Sequence, residues 1–248
     1  MANFLIISAS SDIGRETAKL LFSASHRLFL TSRSIEKVAS LASSLQSPYA
    51  LLDASSFEEV DQIVLQAKNE LGSLDGIVNC AGSLFLKAAH LTTQQQYQDV
   101  INASLTTSFA TIRAAGKHMR QSGGSIVLIS SAAAITGFSN HEAISAAKAG
   151  VIGLARSAAA TYAPNNLRFN VVAPGLIETR LTQHLINNPL SRKVSVGMHA
   201  LGKLGKPSDI ARAIQYFLDP LNDWITGQVL AVDGGLSGIR PKNVSQTS

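Results

Sequence analysis

The 248-residue sequence predicts an α/β protein with a doubly wound, seven-stranded parallel sheet of Rossmann type and helices on both faces. Two observations carry this prediction. Seven short apolar runs recur along the chain, and helix-length amphipathic segments separate most of them. The runs are continuous rather than alternating, which is typical of strands buried on both faces. In such a sheet, ligands bind beyond the carboxyl ends of the strands, so functional residues are expected to follow strands.

The predicted strands comprise residues 4–7, 28–30, 49–52, 77–78, 126–129, 169–172 and 229–232. Apolar residues spaced three and four apart predict helices over residues 13–22, 35–45, 57–71, 94–119, 142–162 and 208–218. No linker divides the chain, which predicts a single domain over residues 1–248. The least regular stretch, residues 178–205, is interpreted as a mobile substrate lid within that domain. The tail, residues 240–248, is expected to be frayed.

Composition narrows the function classes. The chain is 46% hydrophobic and 15% charged, a balance that favours a packed core over disorder. The net charge of +5 is scattered over predicted helices, so no nucleic-acid partner is predicted. Cys80 is the only cysteine, no signal-peptide pattern begins the chain, and no apolar run is long enough to span a bilayer. We therefore expect a cytoplasmic protein with no membrane anchor and no metal site.

The turn that follows the first predicted strand leads directly into a helix. A turn of this kind presents backbone N–H groups and the positive end of the helix dipole to a pyrophosphate. Ser8, Ser10, Ser11 and Ile13 are the expected contacts, although a serine-rich helix start is also typical of a simple N-cap. Asp12 lies in the same turn, where a carboxylate would repel phosphate, and we expect its side chain to point away.

Six further motifs follow one another in register. They are the segment 79–82 (Asn-Cys-Ala-Gly), Asn102, the strand 124–131, the segment 148–150 (Lys-Ala-Gly), the segment 170–175 (Asn-Val-Val-Ala-Pro-Gly) and the pair 226–228 with 233–235. Each alone has an ordinary interpretation, such as a turn or a strand exit. Together, over residues 3–236, they resemble the short-chain dehydrogenase/reductase family. The resemblance implies a Rossmann-type fold, NAD or NADP, a small-molecule carbonyl or alcohol substrate, and a homotetramer or dimer.

The resemblance also implies roles for individual residues. Ser131 would hold the substrate oxygen, Lys148 would bind the nicotinamide ribose, and Asn102 would complete the catalytic set; Ser131 is alternatively a cap of the next turn. Asp53 would contact the adenine, or alternatively cap the next helix. The other cofactor contacts that the resemblance implies are Ala54, Asn79, Ala81, Gly82, Pro174, Gly175, Ile177 and Thr179.

The residues after the second strand favour NADP over NAD. An acid at this point would accept hydrogen bonds from the ribose hydroxyls of NAD, but Ser32 and Arg33 stand there instead. A guanidinium can pair with the 2′-phosphate of NADP. The alternative is that Arg33 only caps a loop.

The family's proton donor is absent. In the family, a tyrosine four residues before the lysine donates the proton, and the corresponding residue before Lys148 is Ile144. Loss of a positioned acid removes a rate factor of roughly 10² to 10⁴. His141 shares a helix face with Lys148 and is a candidate substitute, although it is alternatively a solvated first-turn residue. We predict an NADP-dependent oxidoreductase with an unusual proton donor. The alternative is a sensor or scaffold that binds NADP without turnover.

Overall fold

The structure, a computed structural model, describes residues 1–240, and over these residues seven parallel strands form a single sheet. Their order across the sheet, β3-β2-β1-β4-β5-β6-β7, is that of a doubly wound fold, so the predicted fold class is confirmed. The strands are β1 (Asn3–Ile7), β2 (Arg27–Ser32), β3 (Tyr49–Leu51), β4 (Gly76–Asn79), β5 (Gly124–Ile129), β6 (Leu167–Pro174) and β7 (Val229–Val232).

Nine α-helices follow or connect these strands within the described residues. They are α1 (Asp12–Ser23), α2 (Ile35–Ser44), α3 (Phe57–Leu71), α4 (Gln94–Ile101), α5 (Thr107–His118), α6 (Glu142–Tyr162), α7 (Gln183–Ile186), α8 (Pro189–Met198) and α9 (Pro207–Leu218). Ser11, Ser34, Ser56 and Thr93 begin α1, α2, α3 and α4, and each hydroxyl accepts a backbone N–H of the first turn. The small polar residues of the sequence therefore set where these helices start.

The core lies on both faces of the sheet. Along β1, Phe4 and Ile6 point to the face covered by α1, α2 and α9, whereas Leu5 and Ile7 point to the face covered by α3, α5 and α6. This alternation explains why the strands are apolar at every position. It leaves the carboxyl edge of the sheet as the place where polar side chains gather.

Two predicted segments differ from the structure. The predicted helix 94–119 is interrupted by a π-helical turn, Asn102–Thr106, where the hydroxyls of Thr107 and Ser108 donate to the carbonyl of Ser104 at 3.1 and 2.7 Å. Hydroxyl groups that bond to the helix backbone in this way accompany a local change of its winding.

The predicted lid is more regular than expected. It contains α7 and α8, and α8 begins with Asn188 as N-cap and Pro189 at its first position. Of the predicted frayed tail, residues 241–248 lie outside the described part of the chain. Within residues 1–240, no helix is both long enough and apolar enough to cross a bilayer.

Candidate active site

A cleft of about 730 Å³, here called the main cleft, opens at the carboxyl edge of the sheet. It extends from the turn after β1 to the ends of β5 and β6. A second space of about 430 Å³, the adjoining cavity, shares Ser8, Ser32, Arg33, Ala81, Gly82 and Ser83 with it. The two spaces therefore lie side by side. Most of the residues that the sequence marks as candidates line one or the other.

The turn after β1 is tightly built. Ser11 accepts the N–H of Gly14 at 3.1 Å and donates its own hydroxyl to the carbonyl of Ser8 at 2.8 Å. A Cβ at position 14 would lie 2.5 Å from that carbonyl, so only glycine fits there. Ser8 has φ of +62°, a left-handed backbone conformation that favours glycine. A serine therefore occupies a position whose backbone geometry suits glycine.

This turn fits a pyrophosphate. The backbone N–H groups of Ser10, Asp12 and Ile13 donate to no group within residues 1–240, and all three residues line the main cleft at the start of α1. A helix cannot satisfy its own first N–H groups, and its dipole adds positive potential at the same place. The geometry is compatible with both interpretations of this turn. Ser11 caps the helix, and the residues with free N–H groups line the cleft.

A pair of cations marks the far end of the main cleft. Arg33 lines it as predicted, and Lys37 in the first turn of α2 lines it as well. Ser32 and Ser34 complete this end, with the Ser32 hydroxyl 2.6 Å from that of Ser10. The sequence reasoning missed Lys37, although its place three residues after the N-cap Ser34 puts it beside the strand exit. Together the two cations and the hydroxyls suit a phosphate monoester.

Asp53 and Ala54 line the adjoining cavity. The Oδ1 atom of Asp53 accepts the N–H and the hydroxyl of Ser55 at 2.9 and 2.7 Å. These hydrogen bonds from Ser55 hold the pKa of Asp53 below its usual value. Asp53 therefore stabilises its own turn and also borders the cavity.

Asn102 is not brought to Ser131 and Lys148. It lines the adjoining cavity, and its Oδ1 atom accepts from Gln98 at 3.0 Å and from Thr106 at 3.3 Å on its own helix. Ser104, two residues on, is fully buried within the π-helical turn, and its hydroxyl has no hydrogen-bond partner within the described residues. The π-helical turn sets which side chain points inward at this position, and sequence spacing does not reveal such a turn.

Ser131, Ile144 and Lys148 also line the main cleft. The Oγ atom of Ser131 accepts the N–H of Ala133 at 3.1 Å, which leaves its hydroxyl proton available to a ligand. Ile144 is 3% exposed and packs with Ala143, Ala147 and Val100, yet it also borders the cleft. The place one helical turn before Lys148 is therefore occupied by an aliphatic side chain.

Lys148 is held firmly. Its ammonium donates to the carbonyl of Ile129 at 2.9 Å, and its own carbonyl accepts the hydroxyl of Ser130 at 2.8 Å. Burial lowers the pKa of Lys148 to about 8. A Cβ at Gly82 would lie 3.2 Å from Nζ, so this glycine lets the backbone after β4 approach the ammonium. Cys80 also borders the cleft, and burial raises the pKa of its thiol to about 12, so the thiol stays protonated.

His141 does not line the main cleft or the adjoining cavity. Its Nδ1 atom is 2.7 Å from the carbonyl of Ser139, and its ring packs against Phe138 with centroids 5.5 Å apart. Its position just before α6 agrees with the alternative interpretation, a first-turn residue. Asn79 lines neither space either, because its amide bonds to Thr111 at 3.0 Å and to the N–H of Ala81 at 2.8 Å. Asn79 thus shapes the turn that carries Ala81 and Gly82.

The segment after β6 forms the last wall. Pro174, Gly175, Ile177 and Thr179 all line the main cleft. A Cβ at Gly175 would lie 2.8 Å from Nε2 of His199, so glycine is required there. Thr182 stabilises this wall by donating to the carbonyl of Ile177, and Ile177 itself pairs with Gly205.

Asp12 forms an ion pair with Arg180, whose Nε atom lies 2.8 Å from Oδ1, and both residues line the main cleft. No local pattern in the sequence pairs residues 168 positions apart. The expectation that this carboxylate points away from a bound phosphate stays a prediction.

The chain is similar to known reductases over nearly its whole length. A family model described as enoyl-(acyl carrier protein) reductase matches residues 7–237. Carbonyl reductase family member 4 of Danio rerio is 35% identical over 239 residues, which cover 94% of this chain and 96% of that protein. The 3-oxoacyl-(acyl-carrier-protein) reductase of Mus musculus is 33% identical over 236 residues, which cover 93% of this chain and 96% of that protein.

Solved structures are also similar. The structure of ElxO with NADP bound has a TM-score of 0.88 and 32% identity, and the match covers 95% of this chain and 98% of that chain. A short-chain type dehydrogenase/reductase from Mycobacterium ulcerans has a TM-score of 0.92 and 25% identity, with 97% of this chain and 91% of that chain covered.

Proposed function

Because the chain belongs to the short-chain dehydrogenase/reductase family of oxidoreductases, we propose that it binds NADP and interconverts a carbonyl and an alcohol with Lys148 as its proton donor. One observation carries the proposal: Ser131, Ile144 and Lys148 line the same cleft as the turn after β1 and Arg33. When bound, NADPH supplies the hydride. The chain must then position the carbonyl and deliver one proton to its oxygen.

The cofactor would extend along the whole cleft. The free N–H groups of Ser10, Asp12 and Ile13 would hold the pyrophosphate, and Arg33 with Lys37 would hold the 2′-phosphate. The remaining cofactor contacts would come from Ser8, Ser11, Asp53, Ala54, Ala81, Gly82, Pro174, Gly175, Ile177 and Thr179. That NADP is bound in ElxO supports the same cofactor here.

Two side chains would act on the carbonyl. Ser131 would donate its hydroxyl proton in a hydrogen bond to the carbonyl oxygen, which orients the substrate. The ammonium of Lys148 would transfer a proton from Nζ to the oxygen as the alcohol forms, directly or through one water. Its pKa of about 8 makes both the acid and the amine accessible near neutral pH. Solvent then restores the ammonium.

Three aliphatic side chains, Leu84, Ile144 and Leu181, line the main cleft. They favour a substrate with an apolar group beside the carbonyl. Leu181 belongs to residues 178–205, which supports the proposal that this segment forms the substrate lid. Aliphatic walls also limit the access of bulk water to Lys148.

The test combines binding with turnover. We expect NADPH fluorescence to titrate a saturable site on the purified protein, and NADPH to be oxidised in the presence of some member of a panel of ketones, oxoacyl thioesters and quinones. Lys148→Met is expected to abolish turnover. Saturable NADPH binding without oxidation by any member of the panel would contradict the enzymatic proposal.

A catalytically silent NADP-binding sensor is the second candidate function. The burial of Ile144 favours it, because the cleft carries no phenol and His141 lies outside it. A tyrosine-to-phenylalanine variant of ElxO has been solved with NADPH bound, so in that protein cofactor binding tolerates the loss of a phenolic hydroxyl. NADPH binding that changes the protein's affinity for a second protein, without any turnover, would identify this function.

We further propose a cytosolic homo-oligomer of two or four copies. Phe109 on α5 is 45% exposed and packs against Phe57 on α3, so aromatic side chains are available for contact on the outer face of these two helices. Light scattering of the purified chain at micromolar concentration is expected to give the mass of a dimer or tetramer. A monomeric mass would contradict the assembly.

A further inference from the structure

Arg180 joins the two sides of the main cleft through three contacts with the turn after β1. Its Nε atom donates to Oδ1 of Asp12 at 2.8 Å, and its backbone N–H donates to Oδ2 of the same carboxylate at 2.7 Å. Its Nη2 atom donates to the carbonyl of Ser10 at 2.7 Å. We refer to Asp12 and Arg180 with these contacts as the clasp.

We infer that the clasp gates the entry and release of the dinucleotide. Within the clasp, Arg180 neutralises the charge of Asp12, which would otherwise repel the pyrophosphate of the dinucleotide. This inference rests on the proposed binding of NADP in the main cleft. Both residues line that cleft, one from the phosphate side and the other from the wall after β6. A dinucleotide held between the two walls would have to pass the clasp, so the clasp has to open when the dinucleotide enters or leaves.

The charge of Asp12 requires a partner. A carboxylate beside the free N–H groups at the start of α1 would compete with a phosphate for the same positive potential. The guanidinium cancels this charge, and it keeps further N–H donors free because the clasp uses only two of its five. Asp12 is therefore compatible with an anionic ligand only while it forms an ion pair with Arg180.

The clasp is suited to opening. The side chain of Arg180 is 56% exposed, and exposed ion pairs are weak individually and screened by salt. The wall after β6 has its own anchors, because Glu178 donates its N–H to Gly205 at 2.9 Å and Thr182 donates to Ile177. Loss of the clasp is therefore expected to leave this wall folded.

A set of charge-neutralising variants tests the gate. Asp12→Asn, Arg180→Gln and the double variant each break the clasp, and stopped-flow fluorescence measures NADPH association and dissociation. We expect dissociation to be about tenfold faster in all three variants, because the contacts open together, and the double variant to match the single ones. Rising salt is expected to speed dissociation from all the variants, because it screens the contacts of Arg33 and Lys37 with phosphate, and to speed it most in the unsubstituted protein, where it also weakens the clasp.

The equilibrium affinity separates gating from simple loss of structure. Arg180→Gln leaves an unpaired carboxylate and is expected to weaken NADPH binding, whereas Asp12→Asn leaves an unpaired cation and is not. The double variant should return close to the original Kd. A merely structural role would weaken binding in all three variants alike and would refute the gate.

Arg192→Gln is the matched control. Arg192 pairs with Glu178 at 2.7 Å in the same segment but does not line the main cleft. NADPH is expected to dissociate from this variant at the same rate as from the unsubstituted protein. Clasp variants within twofold of the unsubstituted protein, or an equal acceleration in Arg192→Gln, would overturn the gate while leaving NADP binding intact. Absence of NADPH binding to the unsubstituted protein would overturn the proposed function and the gate together.

Discussion

Replacing Ile144 by tyrosine tests how nearly the cleft matches a complete carbonyl-reducing site. Ile144 and Lys148 are four residues apart on α6, so their side chains lie on one helix face about 6 Å apart along the axis. Ile144 borders the main cleft together with Ser131. A phenol at this position can extend from the helix into the cleft, toward the place where a substrate oxygen would meet Ser131.

The expected gain follows from proton transfer. A phenol beside the Lys148 ammonium has its pKa lowered by the neighbouring positive charge, so it can donate a proton near neutral pH. A positioned acid contributes roughly 10² to 10⁴ to the rate. The larger ring has to be accommodated among Val100, Ala143 and Ala147, and overpacking costs about 1–3 kcal/mol of stability. Because Lys148 already supplies a proton in the proposed reaction, we expect the gain to fall at the lower end of that range, with kcat/KM for a carbonyl substrate rising by about 100-fold and a lower Tm.

The assay is NADPH oxidation with a panel of ketones, oxoacyl thioesters and quinones, measured beside Ile144→Phe. Phenylalanine has the same ring without the hydroxyl, so it reproduces the packing cost and should give no gain. Equal activity of the two variants, when both bind NADPH and remain folded, would refute the inferred arrangement of Ser131, residue 144 and Lys148.

Three further predictions concern the cofactor, the proton donor and the turn after β1. Arg33→Ala should weaken NADPH binding by roughly 10- to 100-fold and NADH binding little, because charged hydrogen bonds contribute about 1.5–3 kcal/mol. Titrations with the two nucleotides measure this difference, and Lys19→Ala, at an exposed position, is the control. Equal losses of affinity for the two nucleotides would exclude a 2′-phosphate contact. The kcat/KM of carbonyl reduction should fall as pH rises through about 8, since the Lys148 ammonium is the required acid. The kcat/KM of alcohol oxidation should rise over the same range, because oxidation needs the amine. A pH profile of kcat/KM without an inflection near this pH would contradict Lys148 as proton donor. Ser8→Gly should raise the free energy of unfolding by up to about 1 kcal/mol, since φ of +62° is strained for serine, and a decrease in urea unfolding would contradict that strain.

The strands and most helices could be predicted because their signals are local. A fully buried parallel strand has to be apolar on both faces, as Phe4 to Ile7 are, and amphipathic spacing identifies a helix that covers it. The helices α7 and α8 lacked such a signal, since neither buries a residue within the core. Asn188 followed by Pro189 was the available sign of α8, as an N-cap followed by a first-turn proline.

The candidate site could be predicted where a motif adjoins a strand end. Ser131, Gly82 and Gly175 follow strands and line the main cleft for that reason, whereas Lys148 reaches it from within α6. Asn102 could not be placed by spacing alone, because the π-helical turn changes which side chains point inward.

The sequence, likewise, contains no local pattern that predicts the clasp. Asp12 and Arg180 meet only because the turn after β1 and the wall after β6 face each other across the sheet edge. Long-range pairs of this kind follow from topology rather than from any local pattern.

A crystal structure of the protein with NADP⁺ would test the central claim most directly. We predict the pyrophosphate on the N–H groups at the start of α1, the 2′-phosphate beside Arg33 and Lys37, and the nicotinamide next to Ile144 and Lys148. A dinucleotide bound elsewhere, or a nicotinamide remote from Ile144, would contradict the assignment of this cleft as the active site.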